Sequence, residues 1–275
     1  MRDSSISVRA CAAQALRAIL PQYQELAVVL FQRLCEADDA LLGTWPIASF
    51  LSAAIRTHFT VLVPLLERML SSEKPEATSI AAQTCCLASL ITDDAGHLAR
   101  ICLSGTEAQR AGAAKVFAAN IGSSSHRTTC EKALTLLFHD QTAQVRSEAA
   151  MCFRHFRPGE LEGYSDLVQR FIESPAFATA PYELLDALET RTTKHFSLTC
   201  MVCERFLDIF AGEVKDRYSL RGLQAMTVGK LILAVYRYSK QEKDDELQFR
   251  SLDVIDHLTR LGVLDMNQPD GEHGR

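Results

Sequence analysis

The chain has 275 residues, 47% of them hydrophobic and 23% charged, which suits a folded globular protein and excludes disorder over most of its length. A formal charge of −5 and a pI near 5.9 exclude a surface built throughout for nucleic acid. Only 13 Gly, 8 Pro and 7% aromatic residues accompany abundant Ala and Leu, a balance that points away from β-sandwiches and α/β enzymes and toward helices.

In chain order, Arg2, Arg9 and Arg17 with the single acid Asp3 imitate a targeting peptide, but the same pattern returns inside the chain and is read as part of a repeat. Tyr23–Ala37 carries apolar residues at helical spacing, with Leu26, Val29, Leu30 and Leu34 flanking Arg33, and Val61–Leu70 does likewise. The uncharged runs Ala40–Ile55 and Ala77–Thr92 are too short and too polar for membrane spans and are read as buried helices. Helix breaks fall at Ser71–Pro75, Ile121–Ser125, Arg157–Gly159 and Ser174–Pro175. Asp93, Thr106 and Ser165 stand where a side-chain oxygen would cap the next helix. Nine scattered cysteines, an odd number inside apolar stretches, suit a reducing, cytoplasmic compartment. Met266–Arg275 is polar, with Pro269 and two glycines, and is expected to fray.

Self-comparison reveals a repeat. Asp3 leads to Val8-Arg9 and then Ala12-Ala13, while Asp140 leads to Val145-Arg146 and then Ala149-Ala150. Arg110 with Ala113-Ala114 is a third copy, and Asp244 with Phe249-Arg250 keeps the Asp-to-Arg spacing. Arg221 and Thr78 mark degenerate copies, and weak units surround Trp45 and Tyr182. The anchors 9, 78, 110, 146, 221 and 250 define roughly eight units with a period in the thirties, each of two helical patterns. The alanine pairs let neighbouring helix backbones approach, so the chain reads as an α-solenoid with a core continuous between repeats.

The Asp-x4-Val-Arg-x2-Ala-Ala pattern opening the second helix of a hairpin resembles the HEAT-repeat, armadillo-like family over residues 1 to about 265. The resemblance implies an all-α, right-handed superhelix of hairpins that binds protein partners. It also implies a structural ladder of aspartates and arginines from successive units, drawing on Asp3, Asp140 and Asp244 with Arg9, Arg146 and Arg250. The segment Leu231–Tyr236, the acids Asp244-Asp245-Glu246 and Arg250–Asp256 are similar to the final helices of long bacterial HEAT-type proteins. Some of those follow a STAND-class NTPase domain. Because Met1 lies just before a second helix, the first hairpin is read as incomplete, as in the C-terminal part of a longer signalling or defence protein.

Chemistry-bearing motifs are sparse. Cys200-x-x-Cys203 has the spacing of a zinc or redox pair, with His195 the nearest further ligand, but both cysteines occupy apolar helical positions and are read as core. No His is followed by Glu, which excludes the zinc-peptidase pattern and the His-Glu pairs of HEAT-like hydroxylases. Gly222 to Gly229-Lys230 lacks the spacing, the hydroxyl and the strand of a phosphate loop. Residues 95–157 carry eight Lys/Arg against four acids, net +4, whereas residues 158–216 carry five against eleven, net −6. The expected function is therefore protein binding, to a partner or another domain, with no catalytic centre, cofactor or metal. The alternative is a nucleic-acid surface using Lys115, Arg127 and Lys132.

Overall fold

The structure is a computed structural model that describes residues 5–36, 39–157, 159–190, 195–216 and 218–264. The expected roles of Asp3 and of the 266–275 tail fall outside the described residues. All regular structure among the described residues is helical. The chain divides into two compact units, Met1–Ala149 and Ala150–Arg275.

The first unit contains α1 (Ile6–Ile19), α2 (Gln24–Glu36), α3 (Trp45–Leu70), α4 (Pro75–Ser89), α5 (Gly96–Ser104), α6 (Glu107–Asn120), α7 (Arg127–Leu137) and α8 (Ala143–Ala150). Helix α1 packs on α2 and α3; α4 packs on α3, α5 and α6; α6 packs on α5 and α7. The second unit contains α9 (Ser165–Ile172), α10 (Pro175–Thr179), α11 (Tyr182–Thr190), α12 (Phe196–Phe210), α13 (Leu220–Glu242) and α14 (Asp245–Arg260), after 3-10 turns at Met151–His155 and Glu160–Tyr164. There α13 packs on α11, α12 and α14, and α12 also touches α9.

The repeat anchors share a local register. Arg9, Thr78, Arg110 and Arg146 are each the fourth residue of a helix, while Arg221 is the second of α13 and Arg250 the sixth of α14. Arg68 Nη2 donates to the Cys35 carbonyl at 2.7 Å, and Arg205 Nε donates to the Ile172 carbonyl at 3.2 Å; both span 33 positions. Each arginine supplies a donor to a carbonyl in the last turn of an earlier helix, where intrahelical donors have run out.

The two units build their cores differently. Between α4 and α6 the contact is made of small side chains: Ala77, Ala81, Ala82 and Cys85 face Ala111, Gly112, Ala113 and Ala114. A Cβ at Gly112 would lie 2.7 Å from the Ser79 carbonyl oxygen and 3.0 Å from Ala82 Cβ, so this backbone approach requires glycine. Near the start of the chain, larger rings take over, with Phe31 stacked on Phe50 at 3.8 Å. In the second unit Phe153, Phe171, Phe177 and Phe210 form a run of ring contacts at 4.6, 5.7 and 6.5 Å.

Several local expectations are corrected. In α2 the buried residues are Ala27, Val28, Phe31, Leu34 and Cys35, leaving Leu26 and Val29 in solvent, so the apolar face is rotated from the one read from the sequence. Thr106 caps α6 through a reciprocal box with Gln109. At 93 the capping side chain is instead Thr92, and the Ser165 hydroxyl donates backward to the Glu162 carbonyl. Helix α3 runs through both Pro64 and a kink at His58 (φ −129°, ψ 21°). It is long and apolar enough by composition to cross a membrane, but half of its most apolar stretch is buried against protein, including contacts with α1, α2 and α4.

Candidate functional site

A surface depression in the first unit lies where α4, α6 and α8 begin, and encloses about 750 Å³. Its walls are fixed by hydrogen bonds. Buried Thr78 donates its hydroxyl to the Ser72 carbonyl at 3.0 Å, and Gln109 Nε2 donates to the Leu70 carbonyl at 3.0 Å while closing the cap of α6. Its surface is made of Pro75, Thr78, Ser79, Ala108 and Ala111, the same kind of small residue that lets α4 meet α6. Glu73, Glu76 and Glu107 line it together with Gln144, and no Lys or Arg is among the lining residues. Glu76 and Glu107 occupy first helical turns, where a carboxylate complements the N-terminal partial charge.

A second feature is apolar and lies in the other unit. Leu220, Leu223 and Met226 are 67%, 55% and 46% exposed and recur three apart on α13, beginning beside Tyr218 at 95%. Such a stripe sits on one side of a helix, and clustered apolar side chains of this size mark interaction surfaces more often than isolated ones do.

The charged contacts only partly involve the residues of the implied ladder. Asp140 receives Arg110 from α6, with Nε to Oδ2 at 2.5 Å and Nη2 to Oδ1 at 3.2 Å, and also the Thr142 N–H and hydroxyl at 2.9 Å each. Burial opposes ionisation of Asp140, but the Arg110 and Thr142 hydrogen bonds outweigh it and hold the carboxyl below its ordinary value. Arg146 instead donates to the Asp140 backbone carbonyl at 2.8 Å. Arg250 grips Glu204 through two bonds of 2.8 and 2.7 Å rather than Asp244, whose side chain caps α14 at the Leu247 N–H. Arg154 makes a further bidentate pair with Glu183, 29 positions on, which the repeat pattern does not contain.

The three basic residues of the nucleic-acid reading lie on adjacent helices, Lys115 on α6 and Arg127 and Lys132 on α7. Lys115 Nζ lies 3.6 Å from Glu148, and Arg127 Nε lies 2.8 Å from Glu131, while Lys132 is exposed. Two of the three cations therefore already have a carboxylate partner.

Cys200 and Cys203 are buried on α12. The Cys203 sulfur faces the Val228 carbonyl at 3.9 Å, and Cys200 lies 3.6 Å from Glu204 Oε1. Burial pushes Cys200 up to about 12 and Cys203 well above its ordinary value, the reverse of an activated thiol. His195 Nε2 lies 3.0 Å from Glu162 Oε1 without a hydrogen bond between them, and no group of three or more His, Cys, Asp or Glu able to hold a metal forms among the described residues. Cys85 and Cys86 of α4 both hydrogen-bond to Cys102 of α5. Those bonds, with burial, raise the first two thiols, while the same bonds lower Cys102 against the opposing effect of its own burial. Cys11 alone of the nine is exposed. Titration of the native protein with a colorimetric disulfide reagent should thus register one fast thiol per chain and the other eight only after denaturation. Several fast thiols in the native state would contradict this burial.

No family model, curated protein or solved structure matches the chain.

Proposed function

We propose that the chain is a HEAT-like α-solenoid, a right-handed superhelix of helical hairpins without a catalytic centre of its own, and that it serves as a protein-interaction module. The shared helix register of the repeat anchors and the Arg110–Asp140 rung support the repeat reading. The observation that carries the functional reading is the exposed Leu220, Leu223 and Met226 stripe, which water solvates poorly and an apolar protein surface would cover. In this reading the chain acts in the cytoplasm as the C-terminal recognition part of a larger bacterial signalling or defence protein of the STAND class, and binds a protein partner or another domain.

Affinity capture from nuclease-treated extract tests it. One protein should be retained in stoichiometric amount by the wild-type chain and lost with Leu223→Glu, while the variant's circular dichroism stays unchanged; an exposed apolar anchor of this kind is worth about 2 kcal/mol, near thirtyfold in affinity. A salt-dependent gel shift with DNA or RNA that disappears on reversing the charges of Lys115, Arg127 and Lys132 would instead establish the nucleic-acid reading.

A further inference from the structure

We infer that the depression at the first turns of α4, α6 and α8 is a docking groove for an extended peptide segment bearing lysine or arginine. This rests on the interaction-module reading and names the chemistry of a partner. The volume of about 750 Å³ falls within the range of real ligand sites, about 300–1,000 Å³. The groove's shape has a cause in the sequence. Ala108 and Ala111 on α6 and Pro75 on α4 are too small to fill the space between helices whose backbones are drawn together at Gly112.

Charge selects the occupant. Each helix N-terminus contributes roughly +0.5 of an elementary charge, so three of them offset only about half of the three carboxylates of Glu73, Glu76 and Glu107. The lining itself keeps a negative balance, with no cationic side chain in it and exposed Lys74, between Glu73 and Pro75, outside it. An anion or a nucleic-acid backbone is repelled by that balance. A lysine or arginine is suited to it twice over, because its aliphatic stem covers the methyl and pyrrolidine surface while its head reaches a carboxylate at the rim. The walls are tied by the Thr78 and Gln109 hydrogen bonds, so the site is formed before the ligand arrives and little ordering cost falls on the protein.

The test is fluorescence anisotropy on the full chain with a labelled dodecapeptide of alternating lysine and alanine, and with its glutamate–alanine counterpart, at about 0.15 M ionic strength. The lysine peptide should bind at least about tenfold more tightly than the glutamate peptide. The triple variant Glu73→Gln, Glu76→Gln, Glu107→Gln should weaken it about tenfold, as should Ala108→Trp, which fills the groove without altering charge. A control triple, Glu173→Gln, Asp186→Asn and Asp208→Asn in the other unit, should leave binding unchanged. Equal binding of the two peptides, or equal loss from the control triple, would overturn the groove. Neither outcome bears on Leu223→Glu and the captured protein, so the broader reading stands or falls separately.

Discussion

Replacing Gly112 by leucine is expected to cost the first unit about 3 kcal/mol, or about 10 °C in Tm. The helix itself would gain, since leucine is the better helix former by nearly 1 kcal/mol. The contact outweighs that gain, because even the first added carbon would stand 2.7 Å from the Ser79 carbonyl oxygen on α4. The obstacle is backbone rather than a movable side-chain tip, so α4 and α6 must separate and the alanines on both sides lose their packing. Gly112→Ala should show the same conflict at smaller scale, a loss of about 1 kcal/mol where an ordinary exposed helical glycine would gain that much. Urea unfolding followed by circular dichroism measures both. A stabilised Gly112→Ala variant would mean that the two helices are not held at this distance.

The second large effect concerns Asp140. Its side chain is 7% exposed and accepts from Arg110 and twice from Thr142, so Asp140→Ala removes the acceptor and strands a half-buried guanidinium. The expected loss is about 3 kcal/mol at neutral pH. The pH dependence has a definite sign. The folded carboxyl titrates below its unfolded counterpart, so the stabilisation is complete above the unfolded value, near about 4, and is lost as pH falls through the lower folded value. The gap between wild type and Asp140→Ala should therefore be widest at neutral pH and close in acid. A gap that widened on acidification would contradict the Arg110 pairing.

Much of this architecture is legible in the linear sequence, but unevenly. Helix α6 is written plainly, with Thr106 and Gln109 forming the cap, Arg110 in the fourth position and the alanine pair marking the contact face. Helix α2 is not, because Leu26 and Val29 are as apolar as Val28 and Phe31, and a helix apolar on two sides gives periodicity no means of choosing its buried face. The implied ladder includes Asp140 but not its partner Arg110, and Arg250 finds Glu204, 46 positions earlier, where only the packing of α12 on α14 brings them together. The groove was invisible for the same reason. Its carboxylates come from the segment before α4 and the first turns of α4 and α6, each ordinary as a helix-start acid, and acquire joint meaning only side by side. The basic excess of residues 95–157 was visible, but the pairing of Lys115 with Glu148 was not, and such pairing turns a net charge into a mixed surface.

Hydrogen–deuterium exchange of the chain, alone and in complex with the captured protein, locates the surface that the partner covers. New protection is expected at residues 218–226, around the exposed Tyr218, Leu220, Leu223 and Met226, and none around Lys115, Arg127 and Lys132. Protection confined to α6 and α7 around those three cations, with 218–226 exchanging as freely as in the lone chain, would contradict that expectation.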